Sequence, residues 1–218
     1  MEPLHVAREL VVARFPGASW AVLTGSVLTA YRTDGSDLDV VVVDEADPGH
    51  RESLHFGGWP VELFVHTPEK LAACLVRELA DRKPSTHRML AQGAVLVGDP
   101  GELPARCARV LAEGPPPLTT AERDRFRYGL TDLLDDHRHA VDPGERAVIA
   151  TTLWFETARA ALAFGSGWIS SGKWLLRELR ESDPALAERW LAGRDEPAAV
   201  AAEVLADAGG PLFDGYRA

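Results

Sequence analysis

The chain has 218 residues, 33 of them Asp or Glu and 23 Lys or Arg, which gives a formal net charge of −10 with histidine neutral. With 46% apolar and 26% charged residues, the composition excludes disordered and fibrous proteins, and the length fits one large or two small domains. The acidic balance argues against a nucleic-acid binder, because a protein that neutralises many phosphates normally presents a basic face.

The N-terminal stretch PLHVARELVVARF has Leu4, Ala7, Leu10 and Val11 at helical spacing and is stopped by Pro16-Gly17. Residues 19–23 then read as a short buried strand ending at Thr24-Gly25, and residues 26–32 as one or two helical turns opened by a good capping residue, Ser26. The turn cluster at residues 33–36 leads into DLDVVVVD, whose four valines signal a strand. Residues 53–56 and 59–66 flank Gly57-Gly58 and predict a hairpin.

From Pro68 the pattern becomes helical, in PEKLAACLVRELADR and again from Lys83-Pro84 to Gln92. A short strand at residues 94–97 and a helix in PARCARVLAEG follow. Three consecutive prolines at positions 115–117 cannot continue a helix and predict a domain boundary between residues 1–114 and 118–218. The second part reads as helices only, at residues 120–140, 143–165, 172–182, 184–193 and 196–208.

The most apolar stretch, residues 147–164, is broken by Thr151, Thr152, Glu156 and Arg159, short of the ~18 apolar residues that a membrane span needs. The start, MEPLHVAREL, lacks the basic-then-apolar pattern of a secretory signal, so a cytoplasmic location is expected. Cys74 and Cys107 lie in helix-like patterns without a CxxC or a Cys/His cluster, and read as buried reduced thiols.

The chemistry concentrates in LTGSVLTAYRTDGSDLDVVVV. On a strand, Asp37 and Asp39 point the same way with about 7 Å between their Cβ atoms, a spacing that can grip divalent cations. If the first two strands pair, the Gly25-Ser26 turn lies beside them. Gly25 has no Cβ to hold a ligand away, and Ser26 opens a helical segment whose N–H groups form an anion site. Metals beside an anion cradle suggest a nucleoside triphosphate. In WPVELFVH the alternation places Glu62, Phe64 and His66 on one face, so Glu62 is a third acid able to join the two-metal arrangement that stabilises attacking and leaving oxygens.

Gly25-Ser26, then Asp37-Leu38-Asp39-Val40, then Glu62 resemble the signature of the DNA polymerase beta-like nucleotidyltransferase superfamily. A short first domain followed by an all-helical one resembles the antibiotic nucleotidyltransferases acting on aminoglycosides and lincosamides, and GKWL at residues 172–175 resembles a helix opening of bacterial members. The resemblance implies an α+β fold, with a small mixed nucleotidyltransferase-type sheet flanked by helices and an all-helical bundle domain after it. It implies Gly25 and Ser26 on the triphosphate, Asp37 and Asp39 on both metals, and Glu62 as metal ligand or base. It also implies a carboxylate from the helical domain as base for the acceptor hydroxyl, for which Glu156 is the candidate.

Each assignment has a plainer rival. Glu156 is three residues before Arg159 and could simply pair with it. Lys173 could reach a triphosphate or stay an ordinary exposed lysine; GWISSGKW fits GxxxxGK, but Trp174 stands where a P-loop needs Ser or Thr. Arg82 and Lys83 could assist phosphates or merely favour a helix C-terminus. In DLLDDHRHA, Asp132, Asp135, Asp136, His137 and His139 read as a solvated helix face, and His66 as a packing residue.

The expected function is therefore Mg2+-dependent transfer of a nucleoside monophosphate, AMP from ATP as co-substrate, to a hydroxyl of a small molecule, with antibiotic resistance as the implied role. The expected partner is that acceptor, with no nucleic acid and no membrane, and a homodimer is left open. The alternatives are an antitoxin-type nucleotidyltransferase that modifies a protein partner, and a non-catalytic nucleotide-binding module.

Overall fold

Pro3 opens helix α1 (Pro3–Arg14), where a missing N–H costs nothing, and Val6, Ala7, Leu10 and Val11 form its buried stripe. This computed structural model describes residues 2–217. β1 (Trp20–Thr24), β2 (Leu38–Val43), β3 (Arg51–Phe56), β4 (Trp59–His66) and β5 (Ala94–Gly98) form one sheet in the order β3-β4-β2-β1-β5. β1 is antiparallel to β2 and β5, and β3 to β4, whereas β2 and β4 are parallel.

The valine run of β2 does not alternate in polarity because both of its faces are covered. Leu38, Val40 and Val42 pack with α1, while Val41 and Val43 pack with Leu71, Leu90 and Cys107. Those three come from α2 (Pro68–Ala80), α3 (Ser85–Gln92) and α4 (Leu103–Glu113). α2 is capped by the Thr67 side chain, which accepts from Lys70 N–H. The parallel return from β4 to β5 through α2 and α3 places these helices on the face that carries Val41 and Val43.

Pro84 precedes α3 and offers no side-chain cap, so the cap comes from α2. The buried Glu78 carboxylate accepts from Thr86 N–H at 2.7 Å, His87 N–H at 3.2 Å and His87 Nδ1 at 3.0 Å. Glu78→Ala strands these donors in a dry interior and is expected to cost about 3 kcal/mol, read as a lower urea midpoint with unchanged slope.

Of the one or two helical turns expected at residues 26–32, the structure has a single 3-10 turn, Ser26–Leu28. Thr29 Oγ1 donates to Ser26 O and accepts from Tyr31 N–H, and such local side-chain bonds compete with helix extension.

The chain divides into two compact units, Met1–Glu113 and Gly114–Ala218. The second contains α5 (Thr120–His139), α6 (Pro143–Phe164), α7 (Lys173–Ser182), α8 (Pro184–Ala192) and α9 (Ala198–Asp207). Thr119 and Glu122 form a capping box at α5, and Asp142 and Asp183 cap α6 and α8. Leu130, Leu153, Leu162, Leu175, Leu179 and Leu205 fill its core. Trp154 and Trp190 stack at 4.0 Å, each indole N–H donating to the other's backbone carbonyl.

α6 is 22 residues long with a mean hydropathy of 1.2 in its most apolar window, long and apolar enough by length and composition alone to cross a membrane, as core helices also are. Within its unit it packs against α5, α7, α8 and α9, which accounts for its apolar surface. Asp132, Asp135, Asp136 and His139 are exposed, but His137 is buried. It continues the stripe of Leu130 and Leu134 at helical spacing, a correction to the reading of that segment as wholly solvated.

Candidate active site

The register of three strand pairs aligns four residues in one row. Thr24 lies opposite Asp39, Asp39 opposite Glu62, and Glu62 opposite Ser53. Because side chains repeat every second residue, Asp39 and Glu62 share the face of Val41 and Phe64, at the end of the strands where β2 and β4 begin. Asp37 enters from the loop just before β2. One oxygen from each of Asp37, Asp39 and Glu62 lies within 4.8 Å of the others, and all three side chains are half-buried.

Three carboxylates at this separation repel one another, and a divalent cation among them removes that cost. The donors are hard oxygens, as Mg2+ prefers. The backbone beside them fits the same use. Gly25 has φ of +91° and ψ of −173°, a conformation essentially restricted to glycine, and a Cβ there would collide with Asp39 Oδ2. Ser26 Oγ is 2.9 Å from Ser36 Oγ, which accepts the Thr33 N–H. That link ties the Gly-Ser turn to the loop that delivers Asp37.

The predicted residues Gly25, Ser26, Asp37, Asp39 and Glu62 thus gather at one end of the sheet. His66 shares their face but lies four residues along β4 from Glu62, about 13 Å at ~3.3 Å per residue. Burial holds its imidazole below the usual histidine range. Of the two candidate phosphate cations after α2, Lys83 is exposed, whereas Arg82 is 5% exposed and its Nη1 has no hydrogen-bond partner among the described residues. Arg82 also adopts φ of +54°, which is uncommon for a residue with a Cβ.

In the second unit, Glu156 pairs with Arg159 at 2.7 Å within α6. Lys173 is exposed in the first turn of α7, after Gly172 at φ of +56°. A cation at that position opposes the helix dipole. Both cysteines are free thiols. Burial pushes the Cys107 thiol up to about 11, so it stays protonated and is no nucleophile at neutral pH.

Arg51 was missed in the sequence. Its guanidinium donates to Glu62 Oε2 at 2.6 Å and lies 4.8 Å from the centre of the Phe64 ring. One Glu62 oxygen is therefore engaged while the carboxylate keeps further acceptor capacity for a metal. The hairpin about Gly57-Gly58 carried the signal, since its register sets Ser53 opposite Glu62 and Arg51 opposite Phe64. The Arg51 side chain is 63% exposed, so Arg51→Met should leave thermal stability nearly unchanged. It should weaken Mn2+ binding about tenfold by loosening Glu62, measured by calorimetric titration.

No family model and no curated protein matches the chain. A crystal structure of a nucleotidyltransferase-like protein from Exiguobacterium sibiricum is similar at 14% identity, across 94% of this chain and 73% of that one, with a TM-score of 0.49. The residues themselves assemble three carboxylates, a glycine-only turn pressed against the central one, and a guanidinium on the third.

Proposed function

We propose that the chain is a Mg2+-dependent nucleotidyltransferase of the DNA polymerase beta-like superfamily, moving AMP from ATP to a hydroxyl of a small molecule. The observation that carries this reading is the convergence of Asp37, Asp39 and Glu62 beside Gly25. Those three carboxylates would hold the metal, which when bound supplies Lewis-acid stabilisation of the attacking and leaving oxygens.

Gly25 lets the phosphates approach the backbone closely, and Ser26 offers a hydroxyl to them. A three-residue turn carries little macrodipole, so phosphate binding there rests on individual N–H and O–H donors. Glu62, steadied by Arg51, serves as the third ligand. Glu156 is our candidate base for the acceptor hydroxyl and Lys173 a candidate partner for phosphate charge, and the unfavourable position of that lysine in a helix first turn supports a ligand role. A net charge of −10 favours acceptors that carry ammonium groups, so aminoglycosides lead the acceptor classes, with resistance as the physiological role. ATP and Mg2+ place such an enzyme in the cytoplasm.

The test is pyrophosphate release from labelled ATP and Mg2+ against a panel of aminoglycosides and lincosamides, with mass analysis of the acceptors. Acceptor-dependent release and an added AMP mass are expected. Glu156→Gln should lower kcat about a hundredfold and leave ATP affinity unchanged. Pyrophosphate release only when a protein is labelled would move the acceptor to a macromolecule. ATP binding without turnover on any acceptor would leave a nucleotide-binding module.

A further inference from the structure

A cavity of about 460 Å3 lies in the first unit on the face covered by α2, α3 and α4, away from the acidic cluster. Trp20 and Val43, paired across β1 and β2, line it four residues along from the Thr24/Asp39 pair, about 13 Å at ~3.3 Å per residue. Leu71 and Leu75 of α2 and Leu103 and Val110 of α4 add apolar wall. The volume falls in the range of small-molecule sites.

One wall residue distinguishes this cavity from a packing gap. His87 lines it and is only 3% exposed. Its Nδ1 is 3.0 Å from the Glu78 carboxylate, which also accepts the N–H groups of Thr86 and His87. An ionised carboxylate can only accept, so Nδ1 carries the hydrogen, and in the neutral ring Nε2 is left as an acceptor. Nε2 has no hydrogen-bond partner among the described residues. Nε2 is not among the fully buried polar atoms and so keeps some accessible surface, where a ligand hydroxyl can take the place of water as its donor.

We infer that this cavity binds a small, mostly apolar molecule with one hydroxyl, which donates to His87 Nε2. The lining includes one exposed cation, Arg106, and one exposed anion, Glu45, so its formal charge is balanced and a neutral ligand fits best. The protonated Cys107 thiol in the same wall gives no covalent capture.

The test uses 2-naphthol and naphthalene, which share an apolar body and differ in the hydroxyl, titrated into the full chain by calorimetry. Saturable 1:1 binding of 2-naphthol, about fivefold to tenfold tighter than naphthalene, is expected. Ala72 is exposed on α2 and lines the cavity, so Ala72→Trp should fill the space and weaken 2-naphthol at least about tenfold with the circular dichroism unchanged. His87→Phe should bring the two probes within about twofold of each other; if that variant fails to fold, Ala72→Trp still decides. Absent saturation, equal affinity for the two probes, or unchanged binding in Ala72→Trp each overturns the site. Asp39→Asn should bind 2-naphthol like wild type, which separates this result from the fate of the proposed activity.

Discussion

Asp39→Asn is expected to lower transfer at least about a thousandfold, the equivalent of about 4 kcal/mol of lost transition-state stabilisation. Asp39 is the middle member of the acidic row, opposite Glu62 on one side and Thr24 on the other, so no neighbour can take over its position. The fold should survive. Asp39 is half-buried at the end of a strand whose other residues carry the core, and removing one of three mutually repelling carboxylates leaves the metal-free protein equally or slightly more stable. The metal provides the internal control. Wild type should melt at a higher temperature in Mn2+ than in EDTA, because a ligand of the native state stabilises it by mass action, and Asp39→Asn should lose that increment. Transfer within a few-fold of wild type would remove the acidic cluster from the chemistry.

How much of this site could be read in the sequence depends on how far apart its parts are along the chain. The valines of β2 and the Gly57-Gly58 hairpin are local signals, and both stand in the structure. The alternation that puts Asp37 with Asp39, and Glu62 with Phe64, is local as well. The parallel pairing of β2 with β4 is different, because the two strands are joined through β3 and no short-range pattern reports their register. That register makes Glu62 the neighbour of Asp39 rather than an acid of unknown position. Thr24, Ser53 and Arg51 were overlooked for the same reason, since each reaches the site only across a strand pair. His87 and Glu78 were hidden by ordinary helical patterns, and only the packing of α3 on α2 makes one the partner of the other. The helical segment expected from Ser26 stops after one 3-10 turn through a short-range effect, the Thr29 hydroxyl closing its own turn.

Gly25→Ala should separate the two roles of its turn, backbone geometry and metal geometry. At φ of +91° and ψ of −173° any residue with a Cβ is strained, by about 1–3 kcal/mol, and stability should fall by that amount. The larger effect should be on function. The added methyl would meet Asp39 Oδ2 first, with Asp39 Cγ at 3.1 Å and Asp39 Cβ at 3.3 Å behind it. A carboxylate can swing away more easily than a strand can shift, so the clash is relieved by displacing the central metal ligand. A displacement near 1 Å is worth about a hundredfold in rate, and kcat/KM should fall by about that factor while Mn2+ binding weakens in parallel. Gly35 in the same motif is the control. It has no positive φ, and the nearest contact of an added Cβ would be Thr33 Oγ1 at 3.9 Å, so Gly35→Ala should retain wild-type metal affinity. Equal Mn2+ affinity in the Gly25 and Gly35 variants would mean that the glycine serves the backbone alone and that Asp39 does not depend on it for position.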